Sequence, residues 1–460
     1  MSTASEFLKF ERKMPPGPRG WLLLGNTFDY ARDPLGFLGK SAGAYGDVVK
    51  LRLGGLRTYL LVHPEHIEYV LRTHHENFIK DKMTQSISPV VGQGLLTSEG
   101  AYWKRQRRLA QPTFQHQQIE HYAQQMVEQT GLMLDGWTGE EDRDLHADLS
   151  KLTLAIVART VFDADVSHDA RAVGDSLQIV MDYSFAPMRW FWLREVLPLP
   201  STRAYWRAIR RIDEIIYRMI ELRRGSDHDP DDLLSRLLHA SEEDGGSRLT
   251  DRQIRDEAVT IFLAGHETTS LALLYTFYLL ANHPAVEQQL AAELESVLAG
   301  RLPTAEDVTR LTYCEWIFRE ALRLYPPVWG IAREPLQDCE IGGYRVPRGT
   351  QLFLVQYLVH RDPRWYENPE VFRPERWDGD LARRLPRCAY FPFGDGPRVC
   401  IGNHFAVMEG ILVLATIAQR YRLSLVPGQT LELFPSITLR PRHSLFFRPR
   451  RCETMTNLTA

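Results

Sequence analysis

Cysteine is scarce in this 460-residue chain: five occur, at positions 314, 339, 388, 400 and 452. The number is odd and no two stand at CxxC spacing, which argues against a disulfide framework and a zinc knuckle. An excess of one charge is also lacking. Lys and Arg number 55 against 58 Asp and Glu, a net charge of −3, so no global field draws the chain onto nucleic acid. Long hydrophobic runs are missing too. The most apolar stretch, Leu271 to Ala281, is broken by Thr276, well short of the ~20 residues that a membrane span needs. The first residues carry Lys9, Arg12 and Lys13 without an apolar run behind them, so no secretory signal is read. A soluble, cytoplasmic protein with no transmembrane anchor and no nucleic-acid partner is expected.

What is present is ordinary for a globular protein, with 44% hydrophobic and 25% charged residues. Pro15, Pro16 and Pro18 make a stiff, extended segment. Val48 to Val62 reads as two β-rich runs around Gly54-Gly55, a hairpin. From Pro64 to Pro284 the apolar spacing is almost wholly helical. The longest helix is expected over Asp251 to Asn282, started by a Thr250/Gln253 capping box and stopped by Pro284. At 1.5 Å per residue it spans about 48 Å, so it must cross a large body. Further β signals fall at Tyr344–Val346, Gln351–Val355 and Leu423–Arg448, with a last helix from His404 to Tyr421 between the last two. The fold class is therefore mainly α with a minor β-rich lobe (near 48–62, 341–355 and 423–448), built round the long central helix. Length alone suggests three domains at roughly 150 residues each. The central helix argues instead for one domain over 1–460.

Some familiar patterns are decoys. Gly39-Lys40-Ser41-Ala42-Gly43 matches GxSxG, but the preceding residues are helix-like where a nucleophile elbow needs a strand. The same stretch ends like a P-loop, but Pro34 stands where its first glycine belongs. His266-Glu267-Thr268-Thr269-Ser270 begins like HExxH, but Ser270 replaces the second zinc ligand. That leaves Gly265, His266, Glu267, Thr268 and Thr269 at the middle of an apolar helix, where glycine costs about 1 kcal/mol and a carboxylate must be satisfied. Local rules broken in mid-helix mark function.

The segment Phe393-Gly394-Asp395-Gly396-Pro397-Arg398-Val399-Cys400-Ile401-Gly402 presents one sulfur from a glycine-rich loop just ahead of the last helix. Loop amides and a helix N-terminus both favour a thiolate, as a one-cysteine metal ligand requires. The run resembles the haem-binding signature of the cytochrome P-450 superfamily, F-x-x-G-x-R-x-C-x-G, at Phe393, Gly396, Arg398, Cys400 and Gly402. Other motifs follow the family's order. Ala264 to Thr269 is similar to its oxygen-activation turn, Glu320-Ala321-Leu322-Arg323 to E-x-x-R, and Pro374-Glu375-Arg376-Trp377 to P-E-R-F/W. Trp103 to Arg107 resembles its W-x-x-x-R. The likeness runs from about residue 15 to about 448.

The resemblance implies a haem-thiolate monooxygenase with haem b held by Cys400 as axial ligand. It implies Phe393 and Gly402 beside the sulfur, and Trp103, Arg107, Arg333 and Arg398 at the propionates. Glu267 and Thr268 become the acid–alcohol pair that delivers protons, Gly265 leaves room for dioxygen, and Glu320, Arg323 and Arg376 form a buried network. Segments lining the family's pocket map onto Ile87, Val90, Leu95, Phe185, Ala264, Val328, Ile331 and Ile437, an apolar set that suits a fatty acid, terpenoid or steroid. Met188–Leu193 is either a membrane-touching patch or packed core. The chain shows no segment for a flavin or nicotinamide domain, so a separate ferredoxin or flavodoxin with its reductase is implied, fed by NAD(P)H. The basic run Lys104, Arg105, Arg108 is its expected docking face, and a monomer is expected. Two alternatives stand beside this reading: a peroxide-driven peroxygenase, and a non-catalytic haem carrier or sensor.

Overall fold

The structure, a computed structural model, describes residues 13–139, 141–164, 170–185, 200–225, 232–240 and 248–452. The helix Asp251–Asn282 runs through its middle, 32 residues long, with the Thr250/Gln253 capping box formed in both directions. Most of its residues are buried on every side, as expected of a helix enclosed by others. Leu145–Val161, Pro200–Arg224, Thr312–Leu324 and Asn403–Arg420 all pack on it. Their apolar faces and the central helix make one large core.

A second, smaller core lies under a five-stranded sheet. Its strand order is Val48–Leu53, Leu56–Leu61, Gln351–Leu354, Ile331–Pro335 and Phe78–Lys80. Leu56–Leu61 and Gln351–Leu354 pair in parallel, and the other pairs are antiparallel. The proline-rich segment lies along the sheet edge, where Pro16 O accepts the Lys50 N–H at 2.7 Å. The tail forms Tyr421–Leu425, Leu433–Pro435, Leu439–Pro441 and Phe446–Arg451. The fold is thus mainly α with a minor β portion.

Two details depart from the helical reading of 64–284. Phe78–Lys80 and Arg143–Asp144 are strands, made so by pairing with Ile331–Pro335 and Phe446–Arg451 across the chain. Gly39 to Gly43 lies inside the helix Pro34–Tyr45 with Ser41 buried, so no nucleophile elbow exists there. Met188–Leu193 lies outside the described residues. Among the described residues, no helix is long and apolar enough to cross a membrane.

Candidate active site

The cysteine loop takes its shape from two glycines. Gly394 and Gly396 have φ of +72° and +71°, and a Cβ at Gly396 would stand 1.9 Å from Leu71 O. The loop folds back so that the Cys400 N–H donates to Phe393 O at 2.9 Å. Two residues on, Gly402 starts the helix Asn403–Arg420, and its N–H points at the Cys400 sulfur. Burial pushes the Cys400 thiol up, against the Gly402 N–H and the Arg107 guanidinium, which pull it down. The Gly402 N–H at the helix terminus thus acts in the direction expected from the sequence. Desolvation outweighs the two in sum, and a metal cation at the sulfur would add to the pull toward the anion.

Cys400 opens onto a cavity of about 420 Å³. Phe393, Arg398 and Gly402 line it on the cysteine side, with Arg333 from the sheet. The central helix contributes Ala264, Gly265, Glu267 and Thr268, and Ile87, Val328, Ile331 and Ile437 supply apolar wall. Residues from five separate stretches of sequence are thereby brought to one place.

Other expected lining residues are elsewhere. Val90 is buried in the core, in a short helix whose Val91 O accepts the Thr260 hydroxyl. Leu95 packs against that core, its backbone tied to Glu257, and Leu96 takes the cavity position instead. Phe185 ends the helix Ala170–Phe185, and its side chain lies outside the described residues. Trp103 and Arg107 do not line the cavity either. Arg107 donates to Val399 O at 2.9 Å, and the Trp103 ring lies 4.3 Å from the Arg398 guanidinium, behind it. Gly265 lines the cavity and has a second consequence: a Cβ there would meet Val157 at 3.2 Å, so it also lets the helix Leu145–Val161 cross closely.

The cations at the cavity fit an anionic occupant. Arg398 donates Nη2 to Ser98 O at 3.0 Å and pairs with Glu99, while its Nη1 is buried without a partner. Burial, with Arg398 adding to it and Asp81 and Glu99 opposing it, lowers Arg333 to about 10. Burial also holds Lys80 well below its ordinary value, with Arg333 and Arg398 adding to the effect. From sequence Lys80 reads only as a residue flanking the pocket, since its neighbours in the fold, Arg333 and Arg398, lie far along the chain; it lines the cavity. Three desolvated cations beside a cysteine sulfur and apolar walls match the two carboxylates, metal and flat apolar body of a haem.

At mid-helix, the Thr268 hydroxyl donates to Ala264 O at 2.6 Å and faces the cavity. Glu267 Oε1 accepts Arg440 Nε at 2.6 Å and Thr438 Oγ1 at 3.3 Å. Burial pushes the Glu267 carboxyl up, but Arg440, His146 and His266 bring it below its ordinary value. His266 is itself lowered to about 4 by burial, so it is neutral near pH 7 and acts on Glu267 only in the acid range where that carboxyl titrates. Arg440 was missed in the sequence. The one signal was alternation in Ile437-Thr438-Leu439-Arg440, which puts Thr438 and Arg440 on one strand face.

Behind the cysteine side, Glu320 sits in a fully buried network. Arg323 Nε and Nη2 donate to its two oxygens at 2.9 Å each, and Arg376 Nε donates at 2.7 Å. Arg373 N and Trp377 Nε1 complete it at 3.1 and 3.0 Å. Arg323 also donates to the carbonyls of His360 and Pro369, so this helix-borne pair ties down the irregular stretch ahead of the cysteine loop.

A sulfur on a rigid loop, facing an alcohol and a paired acid across an apolar cavity with cations at its edge, defines a haem-thiolate oxygenase site. Comparison with known proteins agrees. The Cytochrome P450 family model matches residues 15–445, and the chain belongs to that family of haem-binding monooxygenases. Cyclooctatin synthase of Streptomyces melanosporofaciens is 37% identical over 425 residues, covering 92% of each chain. Cyclooctat-9-en-7-ol 5-monooxygenase of the same organism is 38% identical over 89% of each chain. Pentalenene oxygenase of Streptomyces avermitilis is 34% identical over 88% of this chain and 90% of its own.

Proposed function

We propose that the protein hydroxylates a cyclic terpenoid, using dioxygen and two electrons from a separate ferredoxin or flavodoxin and its reductase. The observation that carries the reading is the cavity itself. Its cations group at one edge, where Lys80, Arg333 and Arg398 depress one another. Ile87, Val328, Ile331 and Ile437 offer a substrate apolar contact and little to hold a carboxylate. Relatives named for cyclooctat-9-en-7-ol and pentalenene support a terpenoid over a fatty acid. In this reading residues 1–460 act as one catalytic unit, a monomer in the cytoplasm.

The roles follow from the geometry. Cys400 would ligate the haem iron, and Arg398, Arg333 and Lys80 would hold the propionates, with Trp103 backing Arg398. Thiolate-ligated haem, when bound, supplies reductive cleavage of dioxygen and insertion of one oxygen atom into an unactivated C–H bond. The Thr268 hydroxyl, released from Ala264 O, donates a hydrogen bond into the cavity. Glu267 holds and passes a proton at its carboxylate, kept ionised between turnovers by Arg440. The apolar wall excludes bulk water, which limits proton leakage to that route.

The test is a spectral titration of the ferric protein with pentalenene, cyclooctat-9-en-7-ol, palmitate and a steroid, followed by turnover with a surrogate ferredoxin. Displacement of iron-bound water by the terpenoids, and hydroxylated product, support the reading. Shifts and product with palmitate alone would sink it.

A further inference from the structure

Two neighbouring carboxylates on the central helix face away from the oxygen chemistry. Asp256 Oδ2 accepts the Gln93 N–H at 2.9 Å, and Glu257 Oε2 accepts the Leu95 N–H at 3.1 Å. Both donors belong to one strap, residues 92–99. Its backbone lies directly on the helix. A Cβ at Gly92, where φ is +57°, would stand 2.0 Å from the Asp256 carboxylate, and one at Gly94 would stand 2.1 Å from Thr260 Oγ1. The strap is also closed on itself, since Thr97 Oγ1 donates to Gly92 O at 2.7 Å.

Its far end reaches the cavity. Leu96 lines the wall, Ser98 O accepts Arg398 Nη2, and Glu99 pairs with Arg398 while accepting the Lys80 N–H at 2.7 Å. The only route from the carboxylates to Arg398 through the strap is a few residues of tightly turned backbone.

We propose that Asp256 and Glu257 are positioning residues. They hold the strap 92–99 on the central helix, and through it set the cavity wall at Leu96 and the seat of Arg398. The proposal rests on the oxygenase reading of the cavity. Asp256 also accepts Arg255 Nη1 at 3.0 Å, and Arg255 pairs with Asp213, so truncating Asp256 disturbs a second ion pair. Glu257 is the cleaner probe. Burial raises its carboxyl to about 8, against the Leu95 N–H. Near neutral pH it is therefore an uncharged acceptor, which Gln reproduces and Ala deletes.

The test uses the haem-loaded full chain with Glu257→Ala, Glu257→Gln and Gly94→Ala, the last lifting the strap without touching a carboxylate. Two quantities are read: hydrogen exchange of the amides of 93–98, and the affinity for 4-phenylimidazole, which ligates iron from the distal side. Glu257→Ala is expected to speed exchange and weaken 4-phenylimidazole by about ten-fold each, the scale of one lost buried hydrogen bond. Glu257→Gln should stay within about two-fold of the parent, and Gly94→Ala should repeat the Ala phenotype. Parent-like exchange in Glu257→Ala, or a Gln variant as impaired as Ala, overturns the proposal. Where Glu257→Ala does not accumulate, Gly94→Ala decides, and parent-like exchange there overturns it. Loss of iron ligation in the parent would sink the oxygenase reading and leave the exchange result standing.

Discussion

Arg440 donates its Nε–H to Glu267 Oε1 at 2.6 Å, joining two residues that lie 173 positions apart in the chain. Both are buried, so each charge depends on the other. Glu267 sits below its ordinary value because Arg440, with His146 and His266, more than reverses the upward push of burial. The stabilisation is therefore present above the unfolded carboxylate value, roughly 4.3, and is lost as pH falls through the lower folded value. Arg440→Gln leaves burial dominant, so the carboxyl rises. The acid limb of the turnover–pH profile should move to higher pH, and the fold should lose about 3 kcal/mol. An unmoved acid limb, with thermal unfolding like the parent's, would show that the pair does not control Glu267.

Thr268 faces the cavity, and its hydroxyl is satisfied by Ala264 O within its own helix. Thr268→Ala should thus leave folding, haem content and substrate binding intact. Product per NADPH should fall by about ten-fold or more, with the missing electrons recovered as hydrogen peroxide. Tight coupling in the variant would remove Thr268 from proton delivery.

Glu320 accepts five donors from four residues in a fully buried setting. Removing it strands two guanidinium groups, a cost of about 3–5 kcal/mol. Glu320→Ala should therefore give protein that is largely haem-free or insoluble, scored by haem per polypeptide. Normal loading would show that the network is dispensable.

Lys104 and Arg108 are exposed on the helix Gly100–Ala110, whose Arg107 contacts the residue before Cys400. Reversing both charges should slow reduction by an acidic ferredoxin by about ten-fold at low salt. The difference should shrink as ionic strength rises. Stopped-flow reduction rates with no salt dependence in the parent would move the docking face elsewhere.

Much of this was legible in the sequence because it is local. The ends of the central helix follow from a capping box and a proline, both written within a few residues of each end. The cysteine loop follows from glycines that backbone geometry requires. What was not legible depends on partners far along the chain. Phe78–Lys80 is a strand only because Ile331–Pro335 is beside it. Arg440 and Lys80 matter through contacts with Glu267, Arg333 and Arg398. Leu95 and Leu96 are chemically alike, and which one faces the cavity depends on how the strap lies on the central helix, where the Leu95 N–H meets Glu257.

The most direct test of the central claim is turnover of a cyclic terpenoid under isotopically labelled dioxygen, with the parent and Cys400→Ser reconstituted side by side. The account predicts one labelled oxygen atom in each product molecule from the parent, and no product from Cys400→Ser. Product oxygen drawn from water, or labelled product formed equally well without the cysteine, would contradict it.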